Sequence, residues 1–121
     1  MAVRVENIFA NLPESVGQEQ LLTLFENEAV RIERIVSESY SSPTGLWYDQ
    51  PEDEWVIVLR GHATLEFEGE KLVKMKEGDH LAIPSHLKHR VSQTDPETIW
   101  LAVHVKPIPL HRSAFGSKLL E

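Results

Sequence analysis

The sequence predicts an all-β protein, an antiparallel sandwich or barrel whose strand number fits a jelly roll. Short runs rich in β-branched and aromatic residues recur at even spacing along the chain. Most of these runs are separated by a turn that contains Gly or Pro. The chain has 121 residues, which predicts a single domain, 1–121.

The N-terminal part of the chain is expected to differ from the rest. A loop over residues 12–17 precedes a segment, 18–27, that is predicted to form a short helix. Its apolar residues would share one helical face: Leu21, Leu22, Leu24 and Phe25. The domain would then consist of an N-terminal helical arm over 1–28, a barrel core over about 29–105 and a C-terminal tail over 106–121.

From Ala29 onwards the sequence pattern changes to alternation, which predicts strands. Val30 and Ile32 alternate with charged residues, and the run continues to about residue 39. Seven further strands are expected over 46–49, 54–60, 63–68, 71–75, 80–83, 90–93 and 98–105. Turns rich in Gly, Pro, Asp and Ser separate most of them, which favours antiparallel pairing.

The composition argues against several classes of function. The formal net charge is −7, from 12 basic and 19 acidic side chains, and no dense basic cluster exists. Nucleic acid and anionic membrane surfaces are therefore not expected as partners. The chain contains no cysteine, which excludes disulfides, thiolate nucleophiles and Cys-based zinc sites. With no long apolar run and no signal-peptide pattern, a cytoplasmic location is expected.

Two stretches carry most of the polar side chains that could act on a ligand or a metal. The first, residues 45–61, contains Tyr48, Gln50 and Glu54, and the second, residues 78–89, ends at His89. Glu54 and His89 are 35 positions apart, which is enough for two strand pairs to fold back and bring them together. On a strand, residues two apart share a face, so Tyr48 and Gln50 could both point inward.

The two stretches resemble the two motifs of the cupin superfamily. Glu54, followed by six residues and then Gly61, matches the end of the first motif. Gly78, Pro84 and His89 match the second motif. The resemblance, over roughly residues 30–105, implies the double-stranded β-helix of a small single-domain bacterial cupin of unassigned role.

The sequence departs from the cupin motifs at four positions. Tyr48 and Gln50 stand where the first motif has its two histidines. His86 stands where the second motif has a glycine, and Gln93 where it usually has an asparagine. The nitrogen ligands that the first motif normally supplies are thus missing.

The resemblance also implies a site in the lumen of the barrel. Cupins hold an Fe, Mn, Ni or Zn ion at the matching positions, so Gln50, Glu54 and His89 are candidate metal ligands. His104 is a further candidate, because late cupin strands line the same cavity. Tyr48 would act as a catalytic acid or base, or would orient the substrate.

Alternatives remain at this site. Asp49 would replace Gln50 as a ligand if the strand register slips by one residue, and His86 is a second candidate imidazole. Glu54 could instead be a half-buried carboxylate that accepts hydrogen bonds from Tyr48 or His89 in a cluster without a metal.

Three functions follow from these candidates. The first is a small cupin with a polar lumen that binds a divalent metal ion, a small polar metabolite or both. The second is a metal-dependent enzyme of the isomerase, lyase or dioxygenase type, and enzyme status is left open. The third is a non-catalytic binding or sensing module. A homodimer is expected, because exposed edge strands near residues 29–39 and the N-terminal helix favour a two-fold partner.

Overall fold

In a computed structural model, described here for residues 2–14, 16–70 and 72–107, the chain folds into antiparallel β-strands that form two sheets. The strands are β1 (Glu19–Glu26), β2 (Val30–Ser37), β3 (Asp53–Arg60), β4 (Ala63–Phe67), β5 (Leu72–Met75), β6 (His80–Ile83), β7 (His89–Thr94) and β8 (Thr98–Val105). One sheet has the order β1-β2-β8-β3-β6 and the other β5-β4-β7. This is the all-β, double-stranded β-helix architecture that the sequence predicted.

The core lies between the two sheets, because the inward residues of each strand alternate with outward ones. On β3 and β4, buried and half-buried residues follow each other with a period of two. The buried apolar cluster consists of Val56, Val58, Ala63, Leu65, Phe67, Met75, Ile83, Val91, Trp100 and Ala102. The indole N–H of Trp100 donates to the hydroxyl of Ser37 at 3.1 Å, so this large side chain is buried without an unpaired polar atom.

The predicted N-terminal helix is wrong. The described residues contain no helix, and hence none that could span a membrane. Glu19–Glu26 instead pairs with β2 as an antiparallel hairpin, in a register that joins Glu19 to Ser37 and Glu26 to Arg31. Asn27 closes the hairpin, because its side-chain oxygen accepts the backbone N–H groups of Ala29 and Val30. Pairing with β2 has therefore outweighed the local apolar pattern.

The prediction of a strand over 46–49 is also wrong. This segment forms only an isolated bridge, in which Tyr48 pairs with His89. A turn precedes it, with the N–H of Leu46 donating to the carbonyl of Pro43 at 3.1 Å. Proline restricts the backbone and lacks a donor, so Pro43 and Pro51 on either side prevent a longer ladder.

The bridge nevertheless fixes the segment against the barrel. The N–H of Tyr48 donates to the carbonyl of His89 at 2.7 Å, and the N–H of His89 returns a bond at 3.1 Å. Two residues further on, the carbonyl of Gln50 accepts the N–H of His86 at 2.7 Å. These bonds hold Tyr48 and Gln50 beside the start of β7. Of the predicted C-terminal tail, only residues 106 and 107 lie within the described residues.

Gly61, at the tight turn between β3 and β4, generates a prediction about stability. Its φ is +88°, and a Cβ there would lie 2.6 Å from the carbonyl oxygen of Glu97. We expect Gly61→Ala to lower the free energy of unfolding by about 2–5 kcal/mol, from backbone strain plus the clash. Urea unfolding of the two proteins would measure the difference.

Gly69→Ala is the matched control for this prediction. Gly69 also has a positive φ, +75°, but nothing lies within 4 Å of the added Cβ. The decrease in the free energy of unfolding for Gly69→Ala should therefore be smaller and reflect backbone strain alone. Equal losses at the two positions would contradict the close approach at Gly61.

Candidate functional site

A cavity of about 210 Å³ lies between the two sheets of the barrel. Its apolar wall comes from the core, including Val56, Leu65, Ile83, Val91 and Trp100. The remaining lining residues are Glu19, Leu21, Arg31, Glu33, Ile35, Tyr48, Gln50, Glu54, His89 and His104. The volume is below the roughly 300–1,000 Å³ of sites for drug-sized ligands, so the cavity suits a compact metabolite.

The structure brings the five sequence-predicted site residues to this one cavity. Glu54 lies at the start of β3 and His104 lies directly opposite it on β8. His89 begins β7 in the other sheet, and Tyr48 and Gln50 precede β3 on the braced segment. What each of these side chains can do depends on its own contacts.

Glu54 and His89 face each other across the cavity. Nε2 of His89 lies 3.8 Å from Oε1 of Glu54, too far for a hydrogen bond. Nδ1 of His89 is 2.9 Å from the carbonyl oxygen of Leu87. A carbonyl can only accept, so Nδ1 carries a proton. In the neutral form of the ring, Nε2 then presents its lone pair to the cavity.

The carboxyl group of Glu54 is held in a largely apolar setting. The side-chain amide of Gln50 donates to its Oε1 at 2.7 Å. Burial raises the pKa of Glu54 above its ordinary value of 4.5, although His104, His89 and Gln50 act in the opposite direction. Removal from water disfavours the charged form, so Glu54 releases its proton less readily than an exposed glutamate.

His104 belongs to a buried charged network rather than to the open part of the cavity. Its Nε2 is 3.0 Å from Oε1 of Glu33, and its Nδ1 lies 3.5 Å from Oε1 of Glu52 without a hydrogen bond. Arg31 binds the same two carboxylates, donating to Glu52 from both terminal nitrogens at 2.9 Å and to Glu33 from Nε at 3.3 Å. Both ring nitrogens of His104 therefore face carboxylates.

Tyr48 stands at the mouth of the cavity, 40% exposed. Its hydroxyl donates to Oε1 of Glu19 at 3.1 Å and lies 3.4 Å from the hydroxyl of Tyr40. Burial, the contact with Tyr40 and the charge of Glu19 raise the pKa of Tyr48. The phenol thus stays protonated at neutral pH, which suits a hydrogen-bond donor and not a base.

The alternative ligands, Asp49 and His86, bond to each other on the outside. Nδ1 of His86 is 2.9 Å from Oδ1 of Asp49, with both side chains at least 40% exposed. Neither is among the described residues that line the cavity. His86 has a φ of +62°, and its bond to Asp49 ties the loop before β7 to the segment that carries Tyr48 and Gln50.

The donor set does not fit a resident metal centre in this arrangement. Gln50 presents its amide N–H, not its oxygen, to Glu54, and His104 is engaged by carboxylates. One imidazole nitrogen and one carboxylate remain, whereas catalytic metal sites use three protein ligands or more. Among residues 2–14, 16–70 and 72–107, no group of three or more His, Cys, Asp or Glu side chains could hold a metal ion. Metal ligation by Gln50, Glu54, His89 and His104 stays a prediction.

Three charged residues that line the cavity were not predicted as site residues: Glu19, Arg31 and Glu33. Glu19 lies in the segment 18–27, for which the sequence predicted a helix, and a helix would not have placed it at the cavity mouth. In the sequence, Arg31 and Glu33 are only the charged residues that alternate with Val30 and Ile32. Their inward position follows from the strand register, because β2 pairs Arg31 with His104 and Glu33 with Ala102, and cross-strand partners share a face. No motif in the sequence specifies this register.

The carboxyl group of Glu19 leads to a prediction about pH. Burial raises its pKa above the ordinary 4.5, and the charges of Glu54 and Glu33 act in the same direction, against hydrogen bonds from Tyr48 and Ser37. As pH rises past 4.5, the unfolded chain loses this proton first, so the folded state loses stability until Glu19 itself ionises.

Glu19→Gln removes this ionisation and keeps an oxygen that can accept from Tyr48. We expect the variant to gain stability relative to the wild type as pH rises from about 4 to about 8, measured by urea unfolding. Glu70→Gln, at an exposed turn, should show a nearly constant difference. A Glu19→Gln difference that is flat or falls with pH would contradict the raised pKa.

Comparisons with known proteins agree with this architecture. A family model described as a cupin domain matches residues 41–104. A protein from Ralstonia eutropha JMP134 that carries the provisional name mannose-6-phosphate isomerase is 42% identical, with a TM-score of 0.81. That match covers 87% of this chain and 100% of the other. No protein with a curated description matches the sequence.

More distant solved structures share the fold alone. A cupin superfamily protein from Desulfitobacterium hafniense DCB-2 is 16% identical over 88% of this chain and 95% of its own, with a TM-score of 0.72. An RmlC-like cupin with a double-stranded β-helix from Methanocaldococcus jannaschii is 18% identical over 87% and 92%, with a TM-score of 0.65. The motifs, the two-sheet barrel and the family match together lead to one conclusion: the chain belongs to the cupin family.

Proposed function

We propose that the barrel lumen binds a small polar metabolite and that Glu54 and His89 move a proton on it. The observation that carries the proposal is the pair itself: an imidazole lone pair and a buried carboxyl group face each other at 3.8 Å across a cavity. A gap of this length leaves both groups free to bond to an atom of the ligand.

The environment suits the pair to acid–base chemistry. A general acid or base works best when its pKa lies near the working pH, and burial raises the pKa of Glu54 in that direction. The bond from Nδ1 of His89 to the carbonyl of Leu87 fixes the ring, so that Nε2 can accept a proton. Tyr48, which stays protonated, would turn its one O–H from Glu19 to an oxygen of the ligand.

The reaction class that fits such a pair is proton transfer next to a carbonyl group. One member of the pair takes a proton from the carbon beside the carbonyl, and the C–H electrons form a carbon–carbon double bond. The carbonyl oxygen takes the displaced electron pair and a proton from the other member. In a hydroxy-aldehyde or hydroxy-ketone, the first member then returns its proton to the former carbonyl carbon. The hydroxyl on the neighbouring carbon gives its proton to the second member and becomes the new carbonyl, which completes an isomerisation without gain or loss of electrons.

The comparison with the Ralstonia eutropha protein supports an isomerase. Its provisional name describes the interconversion of a sugar phosphate, and sugar isomerisation is proton transfer between adjacent carbons. A likeness of 42% identity supports the reaction type for this chain more than it supports the substrate. Binding of Fe, Mn, Ni or Zn, the metal-dependent alternative, is tested in the same experiment.

The test is solvent exchange on small hydroxy-aldehydes and hydroxy-ketones in D₂O, followed by proton NMR. We expect deuterium to enter at the carbon beside the carbonyl. Glu54→Gln and His89→Asn should each slow this exchange by about 100- to 10,000-fold, the usual contribution of a positioned acid or base. Protein dialysed against a chelator should keep its rate.

Matched controls are available on the surface. Glu70→Gln and His80→Asn make the same chemical changes at exposed positions and should leave the rate unchanged. Binding without exchange would contradict the enzyme and favour the non-catalytic binding module. A rate that is lost on dialysis and restored by a divalent ion would favour the metal-dependent enzyme.

The proposal extends to a homodimer formed through β1. The segment near 29–39 is not the edge that the sequence predicted, because β2 lies between β1 and β8. The edge is β1, which exposes Leu21, Leu22, Leu24 and Phe25, each at 45–56%. An exposed apolar edge strand is a site for pairing with another strand. A second copy supplies the same strand about a two-fold axis, which pairs the apolar middle of β1 with itself.

Sedimentation velocity checks the dimer. We expect twice the monomer mass for the wild type and a shift to the monomer for Leu24→Lys, because a charge at the centre of the apolar edge opposes pairing. Leu72→Lys is the control, since Leu72 is 54% exposed on β5, at the edge of the other sheet. A monomeric wild type, or equal effects of the two variants, would contradict pairing through β1.

A further inference from the structure

The charges around the lumen are unbalanced in a way that restricts the ligand. Three carboxyl groups line the cavity, from Glu19, Glu33 and Glu54. Arg31 is the only Lys or Arg among the described residues that line it. An anionic ligand would need at least one free cation, so the state of Arg31 decides whether the cavity can accept one.

The charge of Arg31 is already compensated. Both terminal nitrogens bond to the carboxylate of Glu52 at 2.9 Å, and Nε bonds to Glu33 at 3.3 Å. A two-pronged contact of this kind satisfies most of the guanidinium donors. A phosphate would have to displace two carboxylates to reach it, and those carboxylates would then face the phosphate.

Glu19 and Glu54 are in the opposite position, because neither has an ion pair with Lys or Arg in the described part of the chain. Glu19 accepts hydrogen bonds from the hydroxyls of Tyr48 and Ser37, at 3.1 and 3.4 Å. Glu54 accepts one from the amide of Gln50. All three donors are neutral, and the mutual repulsion of the carboxylates contributes to the raised pKa of Glu19.

A second observation points to a ligand independently of the acidic cluster. His89 is only 5% exposed and lines the cavity. Its Nδ1 is satisfied by Leu87, but its Nε2 makes no hydrogen bond within the described residues. Because Nε2 is open to the cavity, a ligand donor there can bond to it without displacing a protein group.

An ammonium group supplies the positive charge and the hydrogen-bond donors that these acceptors need. It carries a positive charge and three N–H donors. Within the described part of the chain, the lumen presents two carboxylates without a Lys or Arg partner and one open imidazole nitrogen. The apolar wall of Val56, Leu65, Val91 and Trp100 suits the carbon skeleton of an organic amine. An inorganic cation would leave that apolar surface uncovered.

We infer that the lumen selects a small organic amine, whose ammonium group is bound by Glu19 and attracted by the charge of Glu54, and that it rejects phosphorylated metabolites. Glu54 and Nε2 of His89 stay free for the proton transfer. The inference rests on the proposed function, since it names the class of ligand for the same site. The ligand expected for this chain therefore differs from the sugar phosphate in the provisional name of its Ralstonia eutropha relative.

The test is a binding comparison between ligands that share a skeleton and differ in charge. The six-carbon set is mannosamine, mannose and mannose 6-phosphate, and the three-carbon set is 3-amino-1,2-propanediol, glycerol and glycerol 3-phosphate. Titration calorimetry at low salt would measure each affinity. We expect the amine to bind at least tenfold more tightly than the neutral compound in at least one set, with no binding of either phosphate.

Glu19→Gln identifies the group responsible, because it removes one charge without changing the shape of the side chain. The preference for the amine over the neutral compound should fall at least fivefold. Glu70→Gln, an equal change of charge at an exposed turn, should keep the preference. Circular dichroism of both variants verifies that they are folded.

The outcomes distinguish this inference from the proposed function. Neutral compounds that bind as well as amines, or a phosphate that binds most tightly, would overturn the charge selectivity and leave the lumen as the binding site. Binding of none of the six would overturn both. A preference for amines that persists in Glu19→Gln and in Glu54→Gln would place amine recognition outside the lumen.

Discussion

The pairing register of β8 between β2 and β3 is the constraint on which the site depends. His104 lies opposite Arg31 on one side and Glu54 on the other, Ala102 lies opposite Glu33 and Val56, and Trp100 lies opposite Ile35 and Val58. These three sets of cross-strand partners form one wall of the cavity, with charged side chains at one end and apolar side chains at the other. A slip of one residue would turn every member to the opposite face.

This wall places charged groups where they are largely shielded from water. The ion pairs of Arg31 offset the energetic cost of burying them. Glu33 and His104 are less than 9% exposed, and an isolated buried charge would be expensive. Arg31 joins Glu33 to Glu52, and His104 lies against both. Glu54 and His89, equally buried, lack such compensation. The cavity therefore combines a satisfied structural network with a pair of groups that remain available to a ligand.

Part of the site could be predicted from the sequence because its signals are local. The spacing from Glu54 to Gly61 and the positions of Gly78, Pro84 and His89 indicated the barrel and two facing side chains. Glu19 could not be found in this way. Its segment has leucines at helical spacing, and whether such a run becomes helix or strand depends on what it pairs with. The hydrogen bonds of Gln50 and His104, which leave fewer metal donors than the motif suggests, depend on residues such as Glu33 and Glu52 that no motif contains.

The sequence by itself determined the strand alternation, the turns, the all-β class and the identity of the polar residues near each strand end, because these depend on neighbours along the chain. Tertiary structure alone decided that β1 is a strand and that Asp49 and His86 bond to each other outside the cavity. It also decided that no Lys or Arg among the described residues pairs with Glu19 or Glu54. The reason is physical: burial, dielectric environment and hydrogen-bond partners are set by residues distant in sequence. The same carboxylate is a solvated surface group or a ligand-binding one according to where those residues lie.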